Sequence, residues 1–144
     1  MSDDDVQELV ARGALRSVEP DPDAARRELT TAKQHIESSR AVADSDQTAA
    51  LALAYEAARK AIAAHMRANG LRVGGRQGAH ARMGEYGLAV FDDARLAEHF
   101  HAFDRVRQIR NRSQYDAFSV EDADVEYALE QAEAIVAAVE ADLS

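Results

Sequence analysis

The sequence predicts an all-α fold, an up-and-down helical bundle of four long or medium helices with short helices added. Three observations carry that reading. Alanine is abundant and β-branched residues are sparse, which favours helix over strand. Apolar residues recur at helical spacing in one segment after another, and no stretch alternates with the period of two that a half-buried strand needs. The chain has only two prolines, at positions 20 and 22, so most of it lacks a strong helix breaker. Its 144 residues suit one domain, long enough to bury a sizeable core. A short N-terminal helix and loop occupy 1–21, and the bundle occupies 22–144.

In chain order, Asp3 to Leu15 can form a short helix with Val6, Leu9 and Val10 on one side, although Gly13 blurs its end. Ser17 to Asp21 reads as a loop. Asp21 is a natural N-cap, and Pro22 suits the first helical position because the N–H it lacks has no partner there. The helix that follows presents Ala25, Leu29, Ala32 and Ile36 at core spacing and runs to about Val42. His35 lies beside that stripe and reads as structural or exposed. Ala43 to Gln47 is a turn, with Ser45 or Asp46 capping the next helix.

That next helix is alanine-rich, with Leu51, Ala54, Tyr55, Ala58, Ile62 and Met66 inward. Small residues let neighbouring helices approach closely, so it is expected at the centre. Asn69-Gly70 ends it, since both residues tolerate the left-handed conformation. Gly70 to Gly78 reads as a flexible loop, and a short helix from His80 reaches Val90 or Phe91. Asp92 or Asp93 caps a long helix, and Tyr115 to Phe118 is a tight connection. Ser119 to Asp122 resembles a capping box. The last helix has the cleanest pattern: Val125, Leu129, Ala132, Ile135, Val136, Val139 and Leu143.

Composition removes several functions. Without cysteine there are no disulfides and no thiolate metal sites. No apolar run approaches the ~18 residues needed to span a bilayer, and MSDDDVQ lacks the basic and apolar regions of a signal peptide. The expected location is the cytoplasm, with no membrane partner. The glycine-rich loop has no G-x-x-x-x-G-K-[ST] pattern, so it is not a Walker loop. His99 and His101 are two apart, roughly 200° around a helix, and do not chelate one metal together. No metal or other cofactor is expected.

The net charge of −9 argues against indiscriminate nucleic-acid binding. The basic residues are nevertheless concentrated. From Ala57 to Gly84 there are Arg59, Lys60, Arg67, Arg72, Arg76 and Arg82 with no acid. From Arg105 to Tyr115 there are Arg105, Arg107, Arg110 and Arg112, again with no acid. An acidic body with two basic segments suits a local anion site if the segments meet in space. The alternative is two solvated faces on opposite sides.

The stretch from Gln108 to Asp116, QIRNRSQYD, is the most informative. Leu96, Phe100 and Phe103 share a narrow stripe on their helix, and the same stripe then meets Arg107, Arg110, Asn111 and Gln114. An apolar face thus turns polar over its last two turns. A buried arginine without a partner is costly, so this face must meet acids, solvent or an anion. The plainer reading is a helix end fraying into water, with Arg107 paired to an acid on a neighbour.

Two long helices, a short helix after a Gly/Arg/His loop, a long helix ending in R-N-x-x-x-Y and a final helix together resemble HEPN domains. The resemblance is to a small stand-alone bacterial subfamily. It is carried by LALAYEAARKAIAAHMRANGLR, the GAHA that follows, RQIRNRSQYD and the alanine-rich last helix, over roughly Ala24 to Leu143. It implies a bundle that dimerises through the motif-bearing helices. It also implies a metal-independent endoribonuclease site with an arginine, a polar neighbour and a histidine a few residues on. Here these positions are Arg110, Asn111 and Tyr115, and the tyrosine of toxin-type members falls at Ala117.

Tyrosine in place of histidine changes the expected chemistry. Attack by a ribose 2′-OH needs a base near neutral pH and donors for the phosphorane charge. An unperturbed tyrosine titrates near ~10 and is a poor base. The first expectation is therefore a homodimer that binds RNA or another phosphate-bearing ligand in a cleft between protomers. Cleavage is weak or absent, and Arg110, Asn111 and Tyr115 are the catalytic set if it occurs. Arg107, Arg112, Gln114, Arg72, Arg76 and His80 are the candidate ligand contacts. The alternatives are an active ribonuclease toxin and a non-catalytic protein-interaction bundle. The latter could be one half of a toxin–antitoxin pair with a nucleotidyltransferase-type partner, by family analogy.

Overall fold

The helix α3 (Gln47–Ala68) sets the architecture, because alanine makes it thin. Ala50, Ala54, Ala57, Ala61 and Ala64 are all fully buried. Neighbouring helices therefore pack close to its backbone on several sides. The computed structural model describes residues 3–75, 78–115 and 119–144. Around α3 stand α2 (Pro22–Val42), α4 (Ala79–Val90), α5 (Ala94–Tyr115) and α6 (Asp122–Leu143), and α3 packs against all four. The fold is an all-α bundle. Among the described residues, no helix is long and apolar enough to cross a membrane.

Local signals fix most boundaries. Asp21 caps α2 by accepting from Ala24 N at 3.0 Å, with Pro22 in the first turn. Asp46 rather than Ser45 caps α3, accepting from Ala49 N at 3.0 Å. Asp93 caps α5 through Arg95 N at 2.8 Å. The α6 capping box uses Glu121 and Asp124, two residues beyond the expected one, because Asp124 can reach back to Glu121 N at 3.0 Å. The expected connection from Tyr115 to Phe118 falls on 116–118, outside the described residues. Every residue assigned inward on α3 from periodicity is buried. Leu129 and Leu143 of α6 are half-buried at the rim of the core.

Two expectations are corrected. The first helix, α1 (Asp3–Ala11), stops four residues short of Leu15, and Leu15–Ser17 forms a strand, β1. Its partner β2 (Leu71–Val73) lies in the stretch expected to be loop. They pair antiparallel, with Leu15 opposite Val73, Arg16 opposite Arg72 and Ser17 opposite Leu71. Gly70 makes the junction possible: its φ is +70, and a Cβ there would lie 2.8 Å from Val18 O. The N-terminal segment is thereby tied to the start of the α3–α4 connection.

Candidate functional site

The site is built around Tyr55, which periodicity assigned to the core and nothing more. Its ring is fully buried and stacks on Phe103 of α5, with centroids 5.2 Å apart. Arg110, two turns along α5 from Phe103, lays its guanidinium over the same ring at 5.2 Å from the centroid. A cation over an aromatic face contributes about 0.5–2 kcal/mol, more as water is excluded. On α4, His80 Nδ1 meets the Tyr55 hydroxyl at 2.6 Å. One tyrosine therefore joins α3, α4 and α5, and brings His80 and Arg110 to a common centre.

Arg110 is the group left incompletely served. Its Nε is buried and has no hydrogen-bond partner among the described residues. Among the described residues no carboxylate lies within ion-pair distance of it. Arg107 differs: it forms an ion pair with Asp104 one turn back on its own helix, at 2.8 Å, rather than with a neighbouring helix. Glu56 and Arg59 of α3 form a half-buried pair at 2.7 Å. Burial works against the Glu56 carboxylate, but the hydrogen bond and charge of Arg59, with Arg110 and Lys60, outweigh it and hold the pKa below its ordinary value.

Protonation in the centre follows from burial. Burial raises the Tyr55 pKa far above its ordinary value, although Arg110, Arg59 and Arg107 oppose it. The phenol therefore keeps its proton. Burial, and then the charges of Arg59 and Arg110, lower the His80 pKa. At neutral pH the pair is a protonated phenol and a neutral imidazole. His80 is the Tyr55 hydroxyl's partner among the described residues, so a satisfied hydroxyl donates to Nδ1. The imidazole then carries its own proton on Nε2. Such a histidine offers a phosphate oxygen a donor and offers a 2′-OH no lone pair.

The two basic segments meet in part. Arg59 and His80 from the first and Arg107 and Arg110 from the second all influence Tyr55 or His80. Arg72 lies on β2 and lines a cavity with Arg59 and His80. Asn111 is half-buried, and Arg112 and Gln114 are exposed on the last turn of α5. Arg76 lies outside the described residues, as do Ala117 and the side chain of Tyr115. His99 bonds to Gln131 on α6 at 2.7 Å and His101 is exposed.

Sequence reasoning missed Tyr55, Glu56 and Arg59 as site residues. The available signal was Tyr55 and Arg59 four apart, with Glu56 between them in reach of Arg59, at the helical spacing that puts side chains on one face. Compared with known protein families, residues 22–142 match the model described as HEPN domain. No curated protein matches the chain. No solved structure does either.

Proposed function

The chain belongs to the HEPN domain family, and on that premise we propose that it is a dimeric module binding RNA or another phosphate-bearing ligand at an inter-protomer cleft. The observation that carries the reading is Arg110. A guanidinium held over Tyr55, with a buried Nε and, among the described residues, neither a hydrogen-bond partner for it nor a carboxylate beside it, is an incomplete ion site. A phosphate accepts charge-assisted hydrogen bonds from such a fork and removes the cost of the unpaired donor. Arg107 and Arg59 add positive charge nearby, each moderated by its own carboxylate.

Turnover in this reading is weak or absent. Tyr115 occupies the motif position where a histidine would serve as base, and the tautomer of His80 gives it a donor's role. Arg110 still stabilises phosphorane charge, so the module retains one half of a ribonuclease centre.

Light scattering and a cleavage assay test this together. The wild type is expected to be a dimer at micromolar concentration and to cut single-stranded RNA barely or not at all. Tyr115→His restores a base at the motif position and is expected to raise cleavage in the presence of chelator. A strictly monomeric state removes the composite cleft. Robust chelator-resistant cleavage by the wild type, lost in Tyr115→Phe, overturns the binding reading in favour of an enzyme.

A further inference from the structure

The segment before α2 lies outside the residues matched to the family, yet it docks beside the turn that carries His80. There α1 rests on α4, and β1 pairs with β2, the strand before α4. At both ends of β2 the two backbones come too close for a side chain. A Cβ at Gly74 would lie 2.4 Å from Gly13 O, and Gly74 N donates to Ala14 O at 2.9 Å. At the other end a Cβ at Gly70 would meet Val18 O, while Val18 N donates to Gly70 O at 2.8 Å. The glycines flanking β2 are therefore seats for the N-terminal backbone.

The seat continues into α4. Arg82 donates from Nη1 to the Gly74 carbonyl, so Gly74 bonds to the N-terminal segment through its N–H and to α4 through its oxygen. Just after α1, Arg12 forms an ion pair with Glu85 of α4. Among the described residues of α1 only Leu9 is buried, in a groove it shares with Leu88 and Ala89 of α4.

The two halves of α4 are held differently. The bundle pins the C-terminal half, with Gly87 against Phe100 and the Tyr86 hydroxyl 2.6 Å from His65 Nδ1. The first turn carries His80 and has no side-chain cap, because Gly78 precedes it. First-turn N–H groups have no partner inside the helix, and an uncapped end frays. The Arg82–Gly74 bond ties this turn to the N-terminal segment. That segment is itself weakly built. Nine residues are too few for a stable isolated helix, and a two-stranded sheet alone is marginal. Arg16 also faces Arg72, a like-charge pair that opposes docking. Such a segment opens at lower free energy than the bundle.

We propose that residues 3–18 are a detachable strap whose docking on Gly70, Gly74 and α4 holds the first turn of α4 in place, so that its release takes His80 away from Tyr55. The strap switches the centre between an assembled and an open form, whichever ligand that centre takes.

Amide hydrogen exchange and NMR titration of His80 test this in the full chain, comparing wild type with Gly74→Ala and Leu9→Ala. The first variant drives a methyl group onto Gly13 O, and the second empties the α1 anchor. In both, the amides of Val18 and Gly74 are expected to lose protection at least about tenfold, while those of Ile135 and Val136 in α6 stay within about twofold. His80, which burial holds below its ordinary pKa in the wild type, is expected to titrate closer to ~6.5 in both variants. Strap amides that lose protection while the His80 titration stays put overturn the proposal. So do strap amides unchanged in both variants. Equal loss of protection in α6 also overturns it, because the segment is then part of the bundle's own unfolding unit. If Gly74→Ala does not fold, Leu9→Ala reads the same quantities, and failure of both to fold shows the segment is not detachable.

Discussion

Two glycines on α4, three residues apart, should respond to alanine with opposite signs. Gly87 is where α4 lies hard against α5: a Cβ there would sit 2.1 Å from Cδ1 and 2.3 Å from Cε1 of Phe100. Carbon atoms in contact prefer about 3.5–4.0 Å, so the ring must move by more than 1 Å. It has little freedom to do so, being buried and stacked on Phe91 with centroids 5.2 Å apart. Overpacking of this kind costs about 1–3 kcal/mol, and the better helix propensity of alanine returns up to ~1 kcal/mol. At Gly84 no atom of the described residues beyond its own helical backbone and chain neighbours lies within 4 Å of the added carbon, so only the propensity gain remains. An unfolding entropy near 0.3 kcal/mol/K is expected for a chain of this length. Gly87→Ala should therefore lower Tm by up to about 7 °C, and Gly84→Ala should raise it by about 2–3 °C. Calorimetry on the two variants decides it. A stabilised Gly87→Ala would refute the close α4–α5 contact, and with it the placement of His80 at the start of α4.

Two further predictions concern histidines, His65 fully buried and His80 half-buried. Tyr86→Phe removes the hydroxyl 2.6 Å from Nδ1 of the fully buried His65, whose Nε2 is held by Asp142 at 2.5 Å. The orphaned nitrogen costs about 1–3 kcal/mol in urea unfolding, moderated by Asn69 Nδ2 at 3.3 Å, and an unchanged midpoint would remove this tie between α3, α4 and α6 from the stability argument. His80 has a lowered pKa, so between its folded and unfolded values the unfolded chain binds the extra proton and stability falls as pH drops below about 6.5. From pH 7.5 to 5.5 the wild type should lose more Tm than His80→Gln; equal losses would mean His80 is not desolvated.

The helices were legible because their signals are local and repeated. Asp21-Pro22 and Asn69-Gly70 mark helix ends through backbone chemistry that operates within four residues. The inward stripe of α3 was fully readable because the helix is surrounded, so its apolar positions all meet protein. The two-stranded sheet was not readable. Its strands are three residues each, too short for alternation to register, and Arg16 meets Arg72 only through the tertiary fold. The site was half legible. The polar end of α5 stood out against its own apolar stripe, and Arg110 was found that way. Tyr55 was hidden because a core tyrosine and a site tyrosine have the same periodicity. Only the placement of His80 and Arg110 on either side of it distinguishes them.

Arg110 as a phosphate ligand is the central claim, and the salt dependence of RNA binding tests it most directly. Fluorescence anisotropy with a labelled single-stranded RNA, repeated across salt concentrations, yields both affinity and slope. Each neutralised phosphate on a single strand contributes about −0.7 to the slope of log K against log salt. Arg110→Ala should remove most of the affinity and make the slope shallower by about 0.7 for each phosphate that the guanidinium neutralises, with the dimer intact by light scattering. RNA binding whose strength and slope are both unchanged in Arg110→Ala would contradict the account.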